Sequence, residues 1–312
     1  MIDSLTSMTQ AAHLTAVVVL YGQSPGHSEA LCSLLDVAVG RPDAAQRISL
    51  IIYDNSPKPH EESISTPFET QYIHDAENAG LARAYNAALQ RARAQASTWL
   101  LLLDQDTRLS AQYLDELLDT SAAVASRAEI SAIVPKLWAG TRLYSPDAPF
   151  LFQMRQQFTD EHFAVDENVT GMATTPLTAY NSGAAMRVSA LEEIGGFPED
   201  FWLDYLDHAV FQQLQWNGHR LWVMRTVLQQ NLSHMDLNAV PMSRHWSVLA
   251  AQTRFVLRFG SASDRLYFRW WLLKTSRTYL SVCSDKRVWR MRAAQAFRLR
   301  QMPPRYPEGQ HG

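Results

Sequence analysis

Cysteine is scarce in this chain of 312 residues: only Cys32 and Cys283 occur, far apart and with no CxxC or Cys/His spacing of the kind that builds a zinc site. That usage excludes a disulfide scaffold and points to a reduced, intracellular setting. Basic residues are missing from the first forty positions, so the apolar stretch from Leu14 to Tyr21 lacks the positive n-region of a secretory signal and reads as a buried strand. Neither that stretch nor Trp99 to Leu103 approaches the roughly 20 apolar residues that cross a bilayer. Internal repeats and low-complexity tracts are also missing, which leaves an ordinary globular chain, 46% hydrophobic and long enough for a substantial core.

Positive charge is thin in the body and dense at the end. Residues 1–253 carry 15 basic and 28 acidic side chains, whereas 254–312 carry 13 basic and 3 acidic. A basic, aromatic-rich tail on an acidic body implies that the tail meets something anionic, either a membrane surface or the body itself. No nucleic-acid recognition motif accompanies the charge, so nucleic acid is not expected as a partner.

The N-terminal half alternates short apolar runs with amphipathic or Ala-rich segments, the pattern of βα units feeding a mostly parallel sheet. Strands are expected over 14–21, 48–53, 71–73, 98–103 and 130–134, and helices over 28–39, 81–94 and 110–127. From about 138 to 176 the prolines at 146, 149 and 176 and polar stretches argue for an irregular excursion. Strands at 184–187 and 221–228 and a helix over 207–216 follow. Beyond Pro241 the chain reads as helical to about Arg300, which places a boundary near 238.

Acidic residues sit where such a sheet binds ligands. Asp54 follows ISLIIY, and Asp104 and Asp106 follow TWLLLL, so all three fall at carboxyl ends of expected strands. Carboxylates there can grip a divalent cation and ribose hydroxyls, although Asp54 in DNSP also suits an ordinary turn. Two carboxylates directly after an apolar strand repel unless a cation or a basic partner intervenes, which favours function for Asp104 and Asp106. Between them, Asn78-Ala79-Gly80-Leu81-Ala82-Arg83-Ala84-Tyr85-Asn86 opens a helix whose free N–H groups could face an anion; a plain N-cap explains Asn78 equally well.

The ordered blocks TAVVVLYG, IIYDNS, NAGLARAYN, LLLDQDT, NSGAAM and GGFPEDFWLDYLD, with the later His234, make the chain resemble family-2 glycosyltransferases of the GT-A fold over roughly residues 14 to 236. The resemblance implies a Rossmann-like, mostly parallel sheet flanked by helices: a catalytic domain over 1–238, with a donor-binding half at about 14–136 and an acceptor and catalytic half at about 137–238, and a helical extension over 239–312. It implies a nucleoside diphosphate sugar as donor, with Asp54 at the base, Asp104 on the ribose side and Asp106 on a divalent cation, Mg2+ or Mn2+. Tyr21, Asn78, Gly80, Arg83, Asn86 and Gln105 complete the expected donor site. Ser182, Gly183 and Trp202 are expected to meet the acceptor, and His234 to complete the metal sphere.

The DQDT and FWLDYLD blocks look like those of bacterial rhamnosyltransferases, which makes a deoxythymidine diphosphate rhamnose donor the preferred expectation. The chain departs from the pattern at Leu206-Asp207, where the family has Glu-Asp, and at Ala84, where it has a second helix-opening glycine. Asp207 is the closer match to the family's base, with Asp204 as the alternative. The expected reaction is a single displacement with inversion onto a glycan or lipid-linked hydroxyl. Two rivals remain: a nucleotide-sugar-binding or assembly protein with decayed acids, and a sugar nucleotidyltransferase, which should carry a basic Gly-rich loop where this chain reads YGQSPGHSEA.

The segment Arg265 to Val282 projects apolar side chains almost all round a helix, so it is buried or interfacial. Packing on the body, self-association into a homo-oligomer and peripheral docking at the inner face of the cytoplasmic membrane all remain open for it. The expected location is the cytoplasm or that membrane face.

Overall fold

A computed structural model describes residues 13–60, 64–139, 142–159, 168–229 and 237–299. The strands are β1 (Leu14–Leu20), β2 (Ile48–Asp54), β3 (Glu69–His74), β4 (Trp99–Asp104), β5 (Ile130–Ala139), β6 (Arg142–Ser145), β7 (Gly171–Met172), β8 (Ala184–Arg187) and β9 (Arg220–Gln229). The helices are α1 (Glu29–Ala38), α2 (Pro42–Arg47), α3 (Leu81–Ala94), α4 (Ala111–Ala123), α5 (Phe150–Arg155), α6 (Val188–Glu193), α7 (Leu206–Trp216), α8 (Met242–Phe259), α9 (Ala262–Val282) and α10 (Arg287–Phe297).

The strands join one sheet in the order β3-β2-β1-β4-β8-β5-β9-β7, with β6 pairing β5. Strands β3, β2, β1 and β4 are parallel neighbours, as are β5 and β9, while β8 runs antiparallel between β4 and β5. The chain therefore steps outward from β1 to β3 and returns to β1's other side as β4, which opens a crevice at the carboxyl ends of β1 and β4.

Strand periodicity builds a core on each face. Val17 and Val19 of β1 turn to the side covered by α3, α6 and α7, while Ala16, Val18 and Leu20 turn to the side covered by α1 and α4. Local caps fix where helices start: Ser28 accepts from Leu31 N–H before α1, and Ser110 accepts from Tyr113 N–H before α4. The helices expected beyond 241 are present but broken, by Gly260 and Ser261 after α8 and by Cys283 to Lys286 before α10. A capping box between Ser261 and Asp264 starts α9.

Those last helices share the core of the sheet. Phe255, Phe268, Leu272 and Met291 lie in the same buried cluster as Val17 and Leu102. The irregular 138–176 region holds two elements the periodicity did not foretell, β6 and the single-turn-scale helix α5, and β7 adds a short edge pair with β9. Among the described residues no helix is long and apolar enough to cross a membrane.

Candidate active site

The ends of β2 and β4 flank β1: Asp54 pairs in register with Leu20 on one side, and Asp104 with Val19 on the other. Two strand spacings put these positions about 10 Å apart across the crevice. The loop leaving β1 is pinned from both sides, because Gly22 N–H donates to Ser56 Oγ at 2.9 Å and Tyr21 N–H donates to Gln105 Oε1 at 2.9 Å.

Asp54 is fully buried. Ser56 N–H donates to its Oδ1 at 2.8 Å, Tyr72 O–H donates to its Oδ2, and His60 Nε2 stands 3.9 Å from that oxygen. Burial alone would raise its carboxyl, but the hydrogen bonds from Ser56 and Tyr72 outweigh it and hold the group below the usual range. Asp54 thus anchors Tyr72 and the turn after β2 rather than lining an open surface. Tyr72 and His60, which the sequence reading did not single out, form the outer layer. The alternation of β3, an exposed edge strand, carried no signal for Tyr72, and His60 lies outside any strand, in the segment after β2.

On the other side of β1, Asp104 is tied down by side chains from α3 and from the segment before β8. Ser182 O–H donates to its Oδ2 at 2.6 Å and Tyr85 O–H donates to its Oδ1 at 3.3 Å. Ser182, expected at the acceptor, therefore contacts a carboxylate expected at the donor. Burial pushes the Asp104 carboxyl up to about 6, with the charges of Asp106 and Asp207 adding to the rise and the Ser182 bond opposing it. Asp106 is exposed at the mouth. Gly183 has a φ of 78°, donates its N–H to Leu102 O and accepts from Tyr113 O–H, so it joins β8 to β4 and α4 from beneath.

Asp207 stands in the first turn of α7. His208 N–H donates to its Oδ1 at 2.7 Å, yet burial, with the charge of Asp204 adding to it, pushes its carboxyl up to about 7. Both Asp104 and Asp207 keep partial contact with the surface. Between Asp204 and Asp207, Tyr205 takes a left-handed φ of 63°, a costly conformation for an aromatic residue. Its ring packs on Phe150, His208 and Phe255, and its hydroxyl accepts from Gln252 at 3.0 Å, which holds the turn. His208 is pushed down to about 4 by burial and so is neutral at pH 7.

Asp204 is differently occupied. Arg244 of α8 donates to both of its oxygens, at 2.7 and 2.8 Å, and Ser247 O–H donates at 2.7 Å. The last helices therefore hold the loop that carries Asp207, a link invisible in the order of the sequence.

The opening of α3 meets that same loop. Leu81 N–H donates to Trp202 O at 2.8 Å, and Trp202 Nε1–H donates to Asn78 O at 3.0 Å. A Cβ on Gly80, whose φ is 96°, would lie 2.4 Å from Trp202, so only glycine admits this contact. Trp202, expected at the acceptor, thus covers the helix opening expected at the donor. Asn86 clamps the Phe197 backbone, donating to its O and accepting from its N–H at 2.8 Å each, and Arg83 lies at the surface beside Asp75 and Glu77. Neither side chain is part of the carboxylate cluster. His234 lies outside the described residues.

The description "Glycosyl transferase family 2" belongs to the family model that matches residues 15–195. The chain belongs to glycosyl transferase family 2. The match stops short of Asp204 and Asp207. No curated protein matches the sequence. Among solved structures, S. aureus TarS aligns with a TM-score of 0.56 at 13% identity, over 95% of this chain and 49% of that one. The chain thus spans about half the length of full TarS. S. aureus TarS 1–349 aligns at 0.55 with 14% identity over 91% of this chain and 80% of that one. The same fragment in complex with UDP-GlcNAc aligns at 0.53 with 12% identity, over 94% and 82%. The family-2 chain has the GT-A-like fold: a mostly parallel sheet flanked by helices, with helices at its C-terminal end. The nucleotidyltransferase alternative falls with that membership.

The carboxylates in the cleft of this family-2 chain are hard oxygen donors, the ligand type that Mg2+ or Mn2+ takes. No basic side chain among the described residues pairs with Asp104, Asp106 or Asp207, and the charges of Asp106 and Asp207 add to the rise that burial imposes on the Asp104 carboxyl. Among the described residues no group of three His, Cys, Asp or Glu side chains could hold a metal alone, so phosphate oxygens would have to supply further ligands. A cavity of about 800 Å3 bounded by Gln112, Glu116, Trp222 and Arg225 is lined by none of these aspartates.

Proposed function

We propose that the chain is an inverting glycosyltransferase that moves a sugar from a nucleoside diphosphate donor to a hydroxyl of a glycan or lipid-linked saccharide. The observation that carries the reading is Asp207: a carboxyl at the sheet's ligand crevice, held near neutral pKa and with no cationic partner among the described residues. Asp204, saturated by Arg244 and Ser247, is suited to positioning the loop instead.

In the reaction, Asp207 takes the proton from the acceptor hydroxyl as that oxygen bonds to the anomeric carbon. The bond from that carbon to the diphosphate breaks on the opposite face, and its electron pair leaves with the diphosphate, inverting the configuration. Asp106, with Asp104 beside it, would hold Mg2+ or Mn2+, which when bound supplies Lewis-acid relief to the departing diphosphate. Ser182 and Tyr85 fix the Asp104 carboxylate for the ribose. The Tyr72, His60 and Asp54 layer supports the nucleobase side, and Trp202 closes the helix opening over the phosphates.

The DQDT and FWLDYLD blocks favour a deoxythymidine diphosphate rhamnose donor. A uridine donor is the second reading, favoured by the UDP-GlcNAc held by S. aureus TarS 1–349. A thermal-shift panel of nucleotide sugars with and without Mn2+ tests both. A ligand at a hundredfold its Kd adds about 2.7 kcal/mol to the native state, a rise of roughly 5 °C or more. A rise with the deoxythymidine donor above all others is expected; a uridine preference replaces the rhamnose reading, and no response to any nucleotide sugar removes the transferase reading and leaves a decayed assembly protein.

A further inference from the structure

Helix α9 buries one line of side chains, Asp264, Phe268, Leu272 and Ser276, against the body. The packing of the tail on the acidic body is therefore served by that face, and its opposite face is left over. There, Leu266 is 55% and Trp270 57% exposed, one turn apart. Phe158, half-exposed, stacks on Tyr267 beside them and carries Lys274 over its ring at 5.3 Å.

Along the described helices of the tail the charge is predominantly basic. Residues 262–299 hold nine basic side chains and two acidic ones, and both acids are spoken for: Asp264 by Arg155 at 2.8 Å and Asp285 by Arg287 at 2.7 Å. Arg265, Lys274 and Arg277 are exposed on α9, and among the described residues none of the three forms an ion pair with an acidic side chain. At the helix's start, Leu257, Leu266 and Leu299 with Arg265 and Arg269 frame a groove of about 350 Å3. Apolar floor and guanidinium rim together fit an acyl chain that ends in an anionic headgroup.

We propose that α9 is an interfacial helix that lies in the plane of an anionic lipid surface, with Leu266 and Trp270 inserted and Arg265, Lys274 and Arg277 on the headgroups. Its 21 residues span about 30 Å along that surface. No described helix can cross a bilayer, so the contact is peripheral. Tryptophan between basic residues is the arrangement suited to the headgroup boundary, the ring in the acyl margin and the long cationic stems reaching back to water. A second copy of the chain fits less well, because two such faces would bring like charges together, and a nucleic acid would leave Leu266 and Trp270 without a partner. The inference stands apart from the transfer chemistry and is read without it.

The test is flotation of the full chain with phosphatidylcholine vesicles, with and without phosphatidylglycerol. Comparison is made with Leu266→Ser/Trp270→Ser and with Arg265→Gln/Lys274→Gln/Arg277→Gln. All five positions are exposed, so melting temperatures should stay within a degree or two of the parent and separate lost docking from lost folding. Partition into phosphatidylglycerol vesicles is expected to exceed that into phosphatidylcholine alone at least tenfold. The charge variant should lose roughly a hundredfold and the apolar variant at least tenfold. Equal partition into both vesicles, partition unchanged in the variants, or none at all overturns the proposal. A dimer that the apolar variant dissolves assigns the face to a second copy, and tight binding of a DNA oligonucleotide that leaves vesicles unbound assigns it to nucleic acid; either result also overturns it.

Discussion

Arg244 grips Asp204 with two N–H groups at 2.7 and 2.8 Å, a forked contact that fastens the first helix after the sheet to the loop bearing Asp207. Asp204 is nearly buried and Arg244 about three-quarters so. Removing one partner leaves the other charge stranded, which in buried pairs costs about 3–5 kcal/mol and here somewhat less because the guanidinium still meets water. Arg244→Ala is expected to lower stability by about 2 kcal/mol in denaturant titrations and to reduce kcat more than the donor KM. Asp204→Asn, which keeps the shape and the Ser247 bond, should retain a measurable rate.

Two raised carboxyls give the molecule a pH signature. Unfolded, Asp104 and Asp207 titrate near 4, whereas folded they titrate at about 6 and about 7. The folded chain holds the extra protons, so this contribution to stability is complete below about pH 4 and is lost as pH rises through 6 and 7. Asp207→Asn is expected to flatten that slope and, at pH 8, to raise the melting temperature by a few degrees, on the order of 1–2 kcal/mol. Transfer should run the other way: the base works deprotonated, so kcat should climb with pH through about 7.

Gly80 lies under Trp202 with no room for a methyl group. Gly80→Ala combines a positive φ of 96° with a 2.4 Å approach to the indole, and should cost about 2 kcal/mol or more while pushing the 199–205 loop off α3. Trp202→Phe keeps the packing but removes the bond to Asn78 O. Fluorescence of the indole in the parent, set against Trp202→Phe, should change on addition of nucleoside diphosphate if the phosphates sit at this opening.

Much of this was legible beforehand. The strands β1, β2 and β4 announced themselves because they are buried on both faces and so read as unbroken apolar runs. Helix α3 has its expected bounds, since Ala82, Tyr85, Ala88 and Leu89 keep a strict helical spacing. Short elements such as α2 and α5 carry too few residues for a period to emerge, although Pro42 at the first turn of α2 was a usable start signal. The antiparallel β8 could not be told from a parallel strand by composition.

Roles within the site were harder, because a motif names positions and not partners. Ser182 and Trp202 stand in the expected loops, but the one holds Asp104 and the other caps α3. Asn86 lies at the far end of its block, five residues past the start of α3, and donates to the Phe197 backbone. The choice between Asp204 and Asp207 needed Arg244, forty residues further on, which nothing local to FWLDYLD reveals.

Cation dependence should follow Asp106. Asp106→Asn and excess chelator are each expected to cut transfer by at least a hundredfold, while the melting temperature without ligand stays unchanged because this carboxylate is exposed. Calorimetry of Mn2+ with and without nucleoside diphosphate should show tight binding only when both are present.

The most direct measurement is single-turnover release of nucleoside diphosphate from the donor best retained in the thermal panel, in the presence of acceptor, for the parent, Asp207→Asn and Asp204→Asn. The account predicts that Asp207→Asn loses at least about a thousandfold with donor affinity intact, and that Asp204→Asn loses far less. Near-parental release from Asp207→Asn, or the reverse ranking of the two variants, would contradict it.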